Sequence, residues 1–427
     1  MVSTLLQQVR LLDPSSQLDQ VTDVLIVDGV FQAIAPHLPV PSDAVEIIDA
    51  TGKVLAPGLV DLYSHSSDPG HESRETLAEL MAGAIAGGFT RLGILPNTRP
   101  ALDHPATLRH LRDRACELST KPRPYLLPWA ALTQQTQGEK MTELAELVQM
   151  RSRALAGLAD GCPLTNPVLV RRLLEYAKPL NCPVALWPCD QALAGDSIAR
   201  DGALTLMAGL TGSPVAAETA ALAALLELVR ETGTPVHVMR ISTGRSVELI
   251  AQAQATGLPI TASTTWMHLL FSTQDVLSYD PNLRLAPPLG NPSDQAALIE
   301  GVKTGVIDAI AIDHTPYTYE EKTVAFQDAP PGVIGLELAF AALWQRFVTA
   351  EQWTALELLQ ALSLRPAQCL GIPSSRLTTG QPVEAFLFDP ELVWPVAKDT
   401  LRSPAMNTPF WGQSLQGKVV RVWMGDG

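Results

Sequence analysis

What most constrains this chain is a rhythm. Between residues 57 and 369, short apolar runs of β character alternate with longer stretches of helical spacing. Residues 58–62 form the first run, short and apolar as in a strand buried on both faces. Residues 90–96 (TRLGILP) follow a helical stretch, 74–86, that stops at Gly87-Gly88. Residues 124–132 precede a helical stretch over 141–156, and 183–187 follow the helical LVRRLLEYAKPL. Residues 235–241 lie between helices over 216–231 and 245–255. The last strand candidates are 259–265 and 306–313, with helices over 336–348 and 355–364 beyond them. This order predicts an α/β fold, a (β/α)8 TIM-type barrel over 57–369, with functional groups at the C-terminal ends of its strands.

The two ends of the chain read differently. Residues 21–31 (VTDVLIVDGVF) carry Asp28-Gly29 between apolar runs, a hairpin signal, and 44–48 is another short run. Residues 383–388 and 418–424 (KVVRVWM) have the same character near the other end. Neither group alone can cover its apolar face, so residues 1–56 and 370–427 are expected to pair into one small composite β domain. A length of 427 residues accommodates a barrel of about 250 residues with such an addition.

Charge and cysteine content narrow the function classes. The net charge is −14 and the basic residues are scattered, so nucleic acid is not an expected partner. No apolar stretch reaches the roughly 18 residues of a membrane span, and residues 1–14 lack a charged region leading into a long apolar core. The expectation is a cytoplasmic protein without a membrane partner. Cys116, Cys162, Cys182, Cys189 and Cys369 contain no CxxC pair and are expected to be reduced and mostly buried. Residues 134–139 and 290–295 read as polar surface loops.

The stretch 57–70, PGLVDLYSHSSDPG, resembles the end of the first barrel strand in dihydroorotases of the amidohydrolase superfamily. Further matches occur in order along nearly the whole chain: AGGFT (86–90), PNTRP (96–100), IST (241–243), APPLG (286–290), IDAIAIDHTPYTYEEK (307–322), GVIGLE (332–337) and NTPF (407–410). The resemblance implies a barrel of the amidohydrolase kind. Interconverting N-carbamoyl-aspartate and dihydroorotate needs a polarised carbonyl, a hydroxide usable near neutral pH and a proton carrier. Zinc can supply the first two and a carboxylate the third. Such a centre needs at least three His or carboxylate ligands.

Carried over residue by residue, the resemblance implies that most of those ligands are replaced. The His-x-His pair of strand 1 reads Tyr63 and His65, and the Arg that follows it is Ser67. The strand 4 motif is Ala159-Asp160-Gly161, in which the ligand position stays open. The strand 5 His is Trp187, the strand 6 His is Arg240, and Asp313 of strand 8 is kept. Asn97 is kept, whereas Ala286 and Tyr317 replace an Asn and a His that contact substrate. A guanidinium that never loses its proton puts a fixed cation where a metal would bind. His65, Asp160 and Asp313 are therefore read as vestigial ligands, Asp313 as a vestigial catalytic group and Asn97 as a vestigial substrate contact.

Each residue has a plainer role beside the chemical one. His65 is expected to be hydrogen-bonded rather than ligating. Asp313 is expected to pair with Arg240 across the mouth, because an unpaired carboxylate in a closed barrel is costly, and the alternative is a general base. Trp187 is read as a plug or a stacking platform, and Tyr63 as a plug or an acid beside a ligand. His237 should face the inside of a strand, and His71, His104, His110 and His268 lack ligand spacing and are read as ordinary. Asn97 is either a carboxylate contact or a turn residue.

The resemblance extends to inactive dihydroorotase-like chains that hold aspartate carbamoyltransferase in a larger assembly. The expectation is accordingly a homologue without cofactor or activity, a structural or regulatory partner of that enzyme and a homo-oligomer. The alternative is an active cyclic-amide hydrolase with one zinc on His65, Asp160 and Asp313. A small-molecule sensor using the barrel mouth is a third reading.

Overall fold

A computed structural model describes residues 3–40, 45–118, 122–150 and 155–425. Eight strands pair in chain order: Leu59–Ser64, Phe89–Ile94, Tyr125–Ala130, Gly157–Leu158, Val184–Leu186, Val236–Val238, Ile260–Thr265 and Ala309–Ala311. They are called barrel strands 1 to 8 below. All seven pairings between them are parallel. Backbone contacts just beyond strand 8 close the barrel. Asp313 N–H donates to Tyr63 O at 3.1 Å and His65 N–H to His314 O at 2.8 Å. At Ile312 the acceptor is a side chain, Asp61 Oδ1 at 2.9 Å, and burial pushes the Asp61 carboxyl up to about 7.

The packing explains why these short runs form strands. Every residue of barrel strand 1 is buried. Its inward residues Val60 and Leu62 meet Leu127, Trp129, Ala185 and Ala309 in the barrel interior, and Leu59 joins the layer between barrel and helices. The small alanines leave room for Trp129, whose indole N–H donates to Leu62 O at 2.8 Å. The approach of strand 2 to strand 1 requires a glycine: a Cβ on Gly93 would stand 2.0 Å from Leu62 O, which is backbone and cannot rotate away. Gly93→Ala is expected to cost about 1–3 kcal/mol by overpacking. Denaturant unfolding that leaves the variant as stable as the parent would refute this close approach.

The chain ends make the second unit. A seven-stranded sheet has the order Ser414–Met424, Glu384–Pro395, Val54–Pro57, Ser3–Asp13, Leu18–Val27 and Val30–Ala35, with Val45–Asp49 also on Ser3–Asp13. Val54–Pro57 joins the terminal segments, antiparallel to Glu384–Pro395 and parallel to Ser3–Asp13. Asp28 and Gly29 both take positive φ, 48° and 75°, as a two-residue hairpin turn requires.

Local expectations are corrected in several places. The C-terminal strand expected over 383–388 runs on to Pro395. Residue 44, the expected start of a strand, lies outside the described residues. Of the helical stretch 141–156, only Leu144–Val148 is α-helix; residues 151–154 lie outside the described residues, and Leu155 and Ala156 already lead into strand 4. The polar run 290–295 is a helix start rather than a loop. Asn291 and Asp294 form the capping box of Pro292–Thr304, so the polarity there satisfies free N–H groups. The expected helices over 336–348 and 355–364 pass into π turns at Trp344–Thr349 and Gln360–Leu364. Between strands 5 and 6 lies an excursion with the pair Ala199–Arg200 and Gly212–Ser213 around the short helix Ala203–Met207. Among the described residues no helix is long and apolar enough to cross a membrane.

Candidate functional site

Strand ends from around the barrel converge on Arg240. It stands two residues beyond strand 6, and its side chain is 4% exposed. Asp313 stands two residues beyond strand 8. Both have left-handed backbones, φ 55° and 52°, unusual outside glycine, and these turn the two side chains into the mouth. Arg240 Nε donates to Asp313 Oδ2 at 2.8 Å and Nη2 to Oδ1 at 2.6 Å, a bidentate pair. Nη1 donates to Gly161 O at 2.7 Å, and Nη2 also lies 3.2 Å from His65 Nε2. The guanidinium sits over the Trp187 ring at 4.7 Å and the Tyr63 ring at 5.5 Å.

This arrangement assigns protons. A guanidinium only donates, so His65 Nε2 accepts, and the His65 proton resides on Nδ1 facing Asn97 Oδ1 at 3.0 Å. The lone pair that would bind a metal is directed at Arg240. Burial alone would raise the Asp313 carboxyl, but the Arg240 charge and its hydrogen bonds hold it well below the usual carboxylate range. Beneath the pair, Tyr63 Oη accepts the Arg240 backbone N–H at 3.1 Å and lies 2.9 Å from Ser263 Oγ. Burial and the Asp313 charge push the Tyr63 hydroxyl above its ordinary range, so it serves as a fixed hydrogen-bonding floor. His237 is inside the barrel as expected, bonded to Thr261 Oγ1 at 2.9 Å and Ser263 Oγ at 2.8 Å.

The three-ligand alternative is not brought together. Asp160 follows strand 4 and is 2% exposed, yet its carboxylate accepts the Thr133 N–H at 3.0 Å and the Thr133 hydroxyl. It closes the loop after strand 3, and only its neighbour Gly161 reaches Arg240. Among the described residues, no three or more His, Cys, Asp and Glu side chains form a group that could hold a metal ion.

Above Arg240 opens a cavity of about 350 Å³. Ser67, Asn97, Trp187, Ala286 and Tyr317 all border it, so the sequence positions singled out do converge. Tyr317 donates to Pro331 O at 3.1 Å and lies under the guanidinium of Arg74, which is itself paired with Glu321. Four cavity residues lacked an identified role in the sequence: Arg74, Arg99, His71 and His268. The two histidines read as ordinary border the mouth, His71 from the segment after strand 1 and His268 from the short helix Trp266–Leu270 after strand 7. His104 and His110 are exposed, and His104 caps the helix Pro105–Glu117. His314 went unassessed; it is buried, with Nε2 3.1 Å from Glu75 Oε2 and Nδ1 accepting the Gly335 N–H at 3.1 Å. Among the described residues the cysteines form no disulfide; only Cys182 is buried, and Cys116 is exposed.

The dihydro-orotase-like family model matches residues 52–246. A "Probable dihydroorotase-like protein" of Synechocystis sp. is 43% identical, with 97% of this chain and 98% of that one covered. A "Dihydroorotase" of Pelotomaculum thermopropionicum is 37% identical, with 95% and 93% covered. In structure the chain is similar to the L-hydantoinase (dihydropyrimidinase) of Arthrobacter aurescens, with a TM-score of 0.84, 22% identity and 100% and 96% covered. At that identity the likeness speaks for the fold.

Proposed function

This chain belongs to the dihydroorotase-like family, and from that premise we propose that it is a non-catalytic member. It serves as a structural or regulatory partner of aspartate carbamoyltransferase in pyrimidine biosynthesis, as a homo-oligomer of the cytoplasm. The observation that carries this reading is Arg240. Its guanidinium engages both Asp313 and His65, the two residues best matched to metal ligands, and withdraws their lone pairs from any ion. These residues do not fit zinc. A divalent ion would have to displace a fixed cation that makes a bidentate pair with the carboxylate, and the third candidate ligand, Asp160, is engaged elsewhere. The loss of the substrate-pairing arginine, replaced by Ser67, supports the same reading.

Elemental analysis of freshly purified protein is expected to give zinc far below stoichiometric amounts, with dihydroorotate hydrolysis at the buffer rate. A metal-free complex with aspartate carbamoyltransferase should survive size-exclusion chromatography. Stoichiometric zinc together with turnover far above buffer would establish the active hydrolase instead, and failure to form the complex would remove the assigned partner.

A further inference from the structure

Behind Trp187, on the side away from Arg240, a second and smaller cavity of about 130 Å³ lies between the excursion after strand 5 and the segment before Pro288. We propose that it is a binding site for a small oxyanion, a carboxylate or phosphate group, because two guanidinium side chains border it beside a single carboxylate that is already saturated. Two of its lining residues, Arg200 and Trp187, each also carry a buried N–H without a hydrogen-bond partner, Arg200 Nε and the Trp187 indole N–H. The Arg200 side chain is 1% exposed, so its charge cannot be relieved by bulk water. Its nearest carboxylate, Glu218, is 4.0 Å away. That carboxylate is already occupied, accepting the backbone N–H and hydroxyl of both Ser242 and Thr243.

The remaining contacts favour the same ligand class. Arg200 Nη2 donates to Ser242 Oγ at 2.6 Å, which satisfies one edge of the guanidinium and leaves Nε. A second guanidinium, Arg284, borders the cavity, and its Nε donates to Ala329 O at 2.7 Å. Ser197 and Ser213 add hydroxyls, and Glu218 is the sole acidic residue on the wall. Two cations bordering one cavity beside one saturated carboxylate call for an acceptor with negative charge. The volume suits a single small group. Neither Arg240 nor Asp313 borders this cavity, so the site stands or falls apart from the question of activity.

The test uses full-length protein at constant ionic strength, with sodium phosphate or sodium acetate replacing chloride, followed by isothermal calorimetry and melting temperature. Saturable binding of at least one of the two anions is expected, and which of them binds identifies the head group. Arg284→Gln, which alters a half-buried side chain, should weaken binding by at least about tenfold. Arg200→Gln should abolish it while diminishing the cost of the buried charge, so the variant should remain folded. The absence of a saturable response to either anion would overturn the proposal, as would binding left unchanged by both substitutions.

Discussion

Arg240→Met is expected to destabilise the protein by about 3 kcal/mol, the low end of the cost of breaking a buried ion pair by removing one partner. The low end applies because Asp313 keeps a 15% exposed edge, through which water can solvate part of the freed charge. The loss has three parts. Asp313 forfeits both charge-assisted hydrogen bonds, Gly161 O loses its donor, and His65 Nε2 loses the proton it accepts. The stacking on Trp187 disappears with them. Adding Asp313→Asn should restore much of the stability, because the second substitution removes the charge the first one stranded. The midpoint of guanidinium unfolding, read by tryptophan fluorescence, measures both. A loss below about 1 kcal/mol for the single variant would mean that the pair is solvated like a surface ion pair. In that event the mouth would be open to a competing cation, and the case against a metal would weaken with it.

The pair was legible in the sequence because barrel topology alone brings strands 6 and 8 to one mouth, and because the replaced positions fall at strand ends. Its geometry was not. Nothing in the identities of Arg240 and Asp313 announces a left-handed backbone, which is set by the closing contacts to Tyr63 Oη and Tyr63 O. Asp160 shows the opposite outcome. Its motif marks a strand end, but the orientation of its carboxylate depends on the loop containing Thr133, whose shape no local pattern encodes. Capping boxes mislead in another way. Asn291 and Asp294 carry the polarity of a loop while starting a helix, since the free N–H groups of a first turn demand the same side chains as a turn does. Most barrel strands were readable because a strand buried on both faces is largely apolar, whereas Arg200 lies in an excursion with only two-residue strands.

Two buried histidines are expected to subtract about 4–5 kcal/mol of stability between pH 6.5 and 4.5. The carboxyls of Asp61, Asp308 and Glu337, pushed up by burial to about 7, 6 and 7, take up protons in the folded chain over the same range and act with the opposite sign, so the histidine part is read as a difference between parent and variants. Burial pushes His237 down to about 3, and burial pushes His268 down to about 4 against the opposing pull of Glu218. Unfolded, both titrate near 6.5. Below that value the unfolded chain takes up protons on these two groups that the folded chain refuses, so their contribution is complete above about pH 6.5 and falls with pH. Each group contributes about 1.4 kcal/mol per pH unit, His268 until its folded pKa near 4 and His237 until near 3. His237→Gln keeps hydrogen-bonding capacity toward Thr261 and Ser263 and should make stability at pH 4.5 relative to pH 6 more favourable than in the parent, by about 1.4 kcal/mol per pH unit. His268→Gln should do the same, and the double variant should change the slope by about twice as much. A slope unchanged in both single variants would assign the acid sensitivity to other groups. His237 carries the further consequence. Ser263 Oγ joins it to Tyr63 Oη, and Tyr63 Oη accepts the backbone N–H of Arg240. Protonating His237 obliges Ser263 to accept rather than donate on that side, and the chain of hydrogen bonds beneath Arg240 must rearrange. Acid therefore acts on the mouth from the barrel interior, at a pH where the Asp313 carboxylate above it is still charged.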